Sequence, residues 1–207
     1  MPLSVRAGVR CGVLLSLLSL CGASFALDRQ HLLDEANILV LPRERQLPQF
    51  QLMDEMGKPA TRGSLQGRWT LLFFGYTACP DVCPTTLSDM RQLFGKLPEA
   101  TRKQLQLILV SADPVRDTPE ALRNYLGYYR AGFKGLTGDI TNLQLLSKGL
   151  GLPFVPVSPP ATDANYSLSH SGNLAIVGPD GTLRGHIRAP IKFSELPHAI
   201  VELIESK

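Results

Sequence analysis

Cysteine is scarce in this chain, with four in 207 residues. Cys11 and Cys21 lie in an apolar N-terminal stretch, so the body of the chain keeps only Cys79 and Cys83. A small disulfide scaffold needs several bridges spread along the sequence, and that class is excluded. An excess of one charge is also missing. Beyond residue 26, 19 basic side chains face 18 acidic ones, a balance that argues against a nucleic-acid-binding protein with its broad basic face. Charged residues make up 19% of the chain and hydrophobic ones 44%, which suits neither a disordered segment nor a long coiled coil. No internal repeat is present, so a solenoid is excluded.

What is present begins with an export signal. Arg6 and Arg10 precede the apolar run from Cys11 to Cys21, and Ser24-Phe25-Ala26 places small residues where a signal peptidase cuts. Residues 1–26 are therefore expected to be a signal peptide or an uncleaved N-terminal membrane anchor. Leu18-Ser19-Leu20-Cys21 has the outline of a lipoprotein box, but Leu20 stands where a small residue is needed. Each reading exports the domain, to the periplasm or the outer face of the inner membrane. Residues 27–46 are polar and without sustained period, which predicts a linker. Residues 47–207 are long enough for one well-packed domain.

Within that domain, Phe50 to Lys58 predicts a short hairpin with a glycine turn, and Trp69 to Phe74 a strand buried on both faces. Trp69 and Phe73 are accordingly expected in the core. Pro84 to Leu97 predicts a helix with proline at its first position, making Cys83 its N-cap. Leu105 to Val110 is a second buried strand, and Thr118 caps a helix that opens on Pro119. Thr141 to Lys148 predicts a helix ending at Gly149. Pro153, Pro156, Pro159 and Pro160 make the next segment irregular, an inserted loop or edge hairpin. Asn173–Val177 and Thr182–Ile187 flank a Gly-Pro-Asp-Gly turn, and Phe193 to Ile204 closes the chain as an amphipathic helix. This order predicts an α/β fold, a thioredoxin-like mixed sheet with helices on both faces and a terminal β-hairpin plus helix.

Chemistry concentrates where the first buried strand meets its helix, in Tyr76-Thr77-Ala78-Cys79-Pro80-Asp81-Val82-Cys83-Pro84. A sulfur at the helix N-terminus meets unpaired N–H groups and the positive end of the dipole, which favours thiolate. Three intervening residues let the two cysteines approach within disulfide range or reach one metal ion. A structural disulfide, a redox pair and a chelate are all compatible with this spacing. His170 precedes the Asn173–Val177 strand, and in a thioredoxin-like fold that loop packs against the cysteine loop. Two thiolates and an imidazole suit copper, as Cu(I) or Cu(II), better than hard cations. Zinc competes chemically, although structural zinc takes four protein ligands. His31, His186 and His198 sit in the linker, a strand and the last helix, poorly placed to join. Asp113 follows the second buried strand near the same rim, as an accessory or partner-facing carboxylate or as a turn former. Arg116 and Asp117 are expected to pair on the surface.

Three blocks, C-P-D-V-C-P at Cys79, D-P-V-R-D-T-P at Asp113 and Y-S-L-S-H-S-G at Tyr166, resemble in order the signature blocks of the Sco/SenC copper proteins. The resemblance runs from about Leu47 to the C-terminus. It implies that Cys79, Cys83 and His170 ligate one copper ion. It further implies a role in maturing the dinuclear copper centre of cytochrome c oxidase subunit II, by delivering copper, by reducing that subunit's cysteines, or both. A thiol–disulfide oxidoreductase using Cys79 and Cys83 without metal is the alternative. Val82-Cys83-Pro84-Thr85 also resembles a peroxiredoxin segment, but Pro80 and Tyr76 stand where that family's threonine and proline would be.

Overall fold

The computed structural model describes residues 28–155 and 166–206. The export segment, with Cys11 and Cys21, and the run containing Pro156, Pro159 and Pro160 lie outside the described residues. The expected linker is a structured part of the fold. Asp28 caps α1 (Arg29–Ala36), accepting from the N–H groups of Gln30 and His31 at 3.1 and 3.0 Å, and β1 (Ile38–Gln46) follows. β1 pairs antiparallel with β8 (Thr182–Ile187) at the sheet edge. An edge strand is held by backbone pairing, and Ile38 is its one fully buried side chain, so it carries no apolar alternation to read.

The hairpin is present as β2 (Gln51–Asp54) and β3 (Pro59–Thr61). β4 (Trp69–Gly75) and β5 (Leu105–Ser111) are buried along their whole length and pair in parallel, with α2 (Val82–Lys96) and the short α3 (Glu99–Gln104) between them. α4 (Pro119–Gly127) begins as expected, with the Thr118 hydroxyl accepting from the Ala121 N–H at 3.1 Å. It leads to β6 (Lys134–Thr137), a four-residue strand too short to show a pattern, which pairs parallel to β5. α5 (Ile140–Leu150) runs two residues beyond the predicted end at Lys148. Gly149 lies inside it because a Cβ there would sit 2.3 Å from the Pro48 ring; the residue serves close packing, and the helix ends at Gly151. β7 (Leu174–Val177) and β8 form the terminal hairpin, and α6 (Leu196–Glu205) follows.

The eight strands form one mixed sheet in the order β1-β8-β7-β4-β5-β6-β2-β3. Alternation along β4 and β5 divides the interior in two. Leu71, Phe73, Leu107 and Leu109 pack with Leu87, Leu93, Leu122 and Ile200 on one face. Leu72, Phe74, Ile108 and Val110 pack with Leu143, Leu146 and Leu150 on the other. Trp69 and Phe73 are buried as expected. The thioredoxin-like arrangement is thus present, with β4 central and its carboxyl end pointing into the cysteine loop.

Candidate metal centre

The chain leaves β4 at Gly75 and turns, with the Cys79 N–H donating to the Tyr76 carbonyl at 3.2 Å. α2 starts at Val82, two residues before Pro84, and its N-cap is Asp81, whose side chain makes no capping bond. Cys83 is therefore inside the first helical turn instead of at the N-cap. Proline is tolerated throughout that turn because its N–H groups have no intrahelical partner, so Pro84 does not mark the first helical residue.

This shift changes the thiol's surroundings. Cys83 is wholly buried, whereas Cys79 is half-buried, and neither is in a disulfide. The sulfur fits only because residue 75 is glycine; a Cβ there would lie 2.7 Å from Cys83 Sγ and 2.8 Å from Leu109 Cδ1. Burial pushes the Cys83 thiol far above its usual range. The Tyr76 N–H works in the opposite direction, while neighbouring Cys79 and the Asp117 charge add to the rise. The expected stabilisation of thiolate by the helix end is thus outweighed by desolvation.

His170 is brought in by a bridge between Phe154 and His170, flanked by Val155 N–H to Ser169 carbonyl at 2.9 Å and Ser171 N–H to Pro153 carbonyl at 3.0 Å. Its Nε2 lies 3.6 Å from Cys83 Sγ, and its Nδ1 lies 3.2 Å from the Ser171 carbonyl oxygen. A proton on Nδ1 can donate to that oxygen, leaving the Nε2 lone pair turned toward the sulfurs. The Tyr76 ring meets the imidazole edge-on at 6.0 Å between centroids. Cys79 Sγ accepts from the Cys83 N–H at 3.5 Å. One ligand atom from each of Cys79, Cys83 and His170 lies within 4.8 Å of the others, and among the described residues this is the single such group of His, Cys, Asp and Glu. His186 is instead engaged with the Leu150 carbonyl at 2.7 Å, and His31 and His198 lie outside the group.

The second signature block is a support under this group. Asp113 is buried and pairs with Arg116, and the Tyr166 hydroxyl donates to it at 2.8 Å. Arg116 lies over the Tyr166 ring at 3.7 Å, donates to the Tyr166 carbonyl at 3.2 Å and approaches the Tyr76 ring at 5.5 Å. The Tyr76 hydroxyl in turn accepts the Leu168 N–H at 3.2 Å. These contacts tie the loop after β5 to the strand end and to the segment carrying His170.

The expected surface pair of Arg116 and Asp117 does not form. Asp117 is fully buried and accepts from Thr77 Oγ1 at 2.6 Å, Thr77 N–H at 3.1 Å and Ser111 Oγ at 2.8 Å. Burial raises its carboxyl above the ordinary value, against the pull of those donors. Asp117, Tyr166 and Gly75 carry no residue chemistry that marks them in sequence as parts of the site. The only hint was that Tyr166 and Asp117 fall within the two later blocks.

Comparison with known proteins agrees with this geometry. The model of the SCO1/SenC family matches residues 41–205. A Stutzerimonas stutzeri protein, named as a proposed copper-binding protein, is 57% identical over 199 residues, covering 96% of this chain and 97% of its own length. Copper-bound ScoI of Bradyrhizobium japonicum superposes with a TM-score of 0.66 at 30% identity, covering 78% of this chain and 99% of that one. Copper-bound yeast Sco1 superposes with a TM-score of 0.72 at 25% identity, covering 79% and 90%.

Proposed function

The chain belongs to the SCO1/SenC family, and from that premise we propose that it is an exported copper-handling protein whose cargo ion sits between Cys79, Cys83 and His170. The observation that carries the reading is the convergence of two sulfurs and one imidazole nitrogen within 4.8 Å. Three soft or borderline donors and no carboxylate make a set that favours copper over hard cations, and one ligand fewer than structural zinc takes. Binding a metal deprotonates a coordinating thiol outright, so the high pKa of Cys83 means that uptake releases a proton. The unequal burial suits transfer. Cys83 grips the ion from beneath, while half-buried Cys79 and His170 leave a side that an acceptor's ligand can reach.

The acceptor we propose is cytochrome c oxidase subunit II, served at the periplasmic side of the inner membrane. A second reading rests on the same asymmetry. Cys79 is the accessible thiol and Cys83 the buried one, the arrangement of an attacking and a resolving cysteine. Cys79 attacks a target disulfide, Cys83 resolves the mixed disulfide, and two electrons and two protons pass to the target. The Cys79–Cys83 disulfide remains on this chain. The two activities are compatible, since reduced target cysteines are ready to accept copper.

The test is titration of the reduced full chain with Cu(I) against a competing chelator. One ion per chain is expected, with tight binding abolished in Cys79→Ala, Cys83→Ala and His170→Ala. Unchanged affinity in His170→Ala refutes the three-ligand site. Mixing with the oxidised, copper-free domain of subunit II then separates the readings: thiol formation there by metal-free protein, retained in His170→Ala, marks reduction, and copper transfer marks delivery.

A further inference from the structure

At the end of the sheet opposite the cysteines lies a concavity of about 540 Å³ lined by four arginines and no carboxylate. Arg68 precedes β4, Arg91 and Phe94 come from α2, Arg102 from α3, and Arg130 from the turn between α4 and β6. Leu105, paired in register with Trp69 at the start of the two parallel strands, supplies apolar floor. Arg91, Arg102 and Arg130 are exposed, and none of the four arginines is in an ion pair among the described residues. Arg68 donates to the Leu105 carbonyl, but its Nε is buried without a hydrogen-bond partner. Arg130 sits at φ 49°, a backbone region that a branched or long side chain seldom occupies.

Like charges gathered around one hollow repel each other, and an unpartnered buried N–H adds to the cost. On a chain whose charges otherwise nearly balance, nothing in the bulk composition requires such a cluster. An anion seated among the guanidinium groups removes that repulsion. A carboxylate offers two oxygens, whereas a phosphate offers enough to engage several planar forks at once and carries more charge. We propose that this concavity is a phosphate-class oxyanion site, filled either by free phosphate or by a phospholipid headgroup. It is independent of the metal reading, because the cysteines follow the carboxyl end of β4 and this site flanks its amino end.

The test uses the full chain in a neutral detergent, titrated with inorganic phosphate by calorimetry at ionic strength held constant with chloride. One phosphate per chain is expected to bind saturably. Arg91→Gln and Arg102→Gln, both exposed and outside the metal centre, should each weaken binding roughly fivefold. Arg188→Gln, exposed and elsewhere, should leave it unchanged. A second arm adds phosphatidylglycerol or phosphatidylcholine to the micelles. Displacement of phosphate by phosphatidylglycerol alone identifies a headgroup as the occupant, and no displacement by either lipid identifies the free ion. Absence of saturable binding, equal losses in Arg188→Gln and Arg91→Gln, or the same response to chloride alone overturns the site.

Discussion

Gly75→Ala should be the most informative single change, because it adds one methyl group beneath the buried sulfur without substituting a ligand. The added Cβ would lie 2.7 Å from Cys83 Sγ and 2.8 Å from Leu109 Cδ1, where ordinary contact begins at 3.4 Å. β4 is buried along its length, and Gly75 is in register with Ser111 of β5 and accepts the Ala112 N–H at 2.7 Å, so its backbone has little freedom to yield. The sulfur and the leucine must retreat by about 0.7 Å, an overpacking strain worth about 1–3 kcal/mol. For a chain of this size that lowers Tm by roughly 2–12 °C. It also displaces Cys83 Sγ from its present position 3.6 Å from His170 Nε2, so copper affinity should fall together with stability. The decisive assay is a double-mutant cycle with Cys83→Ala, read by urea unfolding. Removing the sulfur relieves one of the two clashes, so the double mutant should be about 1 kcal/mol more stable than additivity allows. Additive losses, or a Gly75→Ala chain with native stability and native copper affinity, refute the claim that this glycine makes room for the ligand.

Two further outcomes follow from the residues around the ligands. Tyr166→Phe keeps the ring over Arg116 but removes the hydroxyl that donates to buried Asp113 at 2.8 Å. It should cost about 1 kcal/mol by urea unfolding and weaken copper binding by about tenfold or less; full copper affinity would mean that this contact does not position His170. Asp117 has a carboxyl raised above its ordinary 3.8 by burial, so the folded state holds its proton more tightly than the unfolded state does. That contribution is fully present below pH 3.8 and is lost as pH rises through the folded-state value. Asp117→Asn cannot ionise, so its stability relative to the parent should improve as pH rises from 4 and level off once Asp117 is ionised in the folded state. Parallel stability–pH curves for the two chains would contradict that account.

How much of this was legible beforehand differs element by element. The buried strands β4 and β5 declared themselves as apolar runs, and α4 through its Thr118-Pro119 start, because those signals are local. β1 and β6 gave no such signal. One is an edge strand held by backbone bonds, and the other is four residues long. The start of α2 was misplaced because proline fits anywhere in a first turn. Gly149 was misread as a stop because a glycine chosen for close packing looks the same in sequence as one chosen for a cap.

For the candidate site, residue types and spacing left a disulfide, a redox pair and a chelate open, and the resemblance of the three blocks to the Sco/SenC proteins singled out Cys79, Cys83 and His170. Cys79, Cys83 and His170 are chemically distinctive, and no other cysteine lies in the body of the chain. Only tertiary structure decided that Cys83 is buried where desolvation pushes its thiol up, that Asp117 is interior instead of paired with Arg116, and that four arginines meet at the far end of the sheet. Burial, desolvation and charge clustering depend on which distant segments pack together, and a balanced total charge hides a local excess.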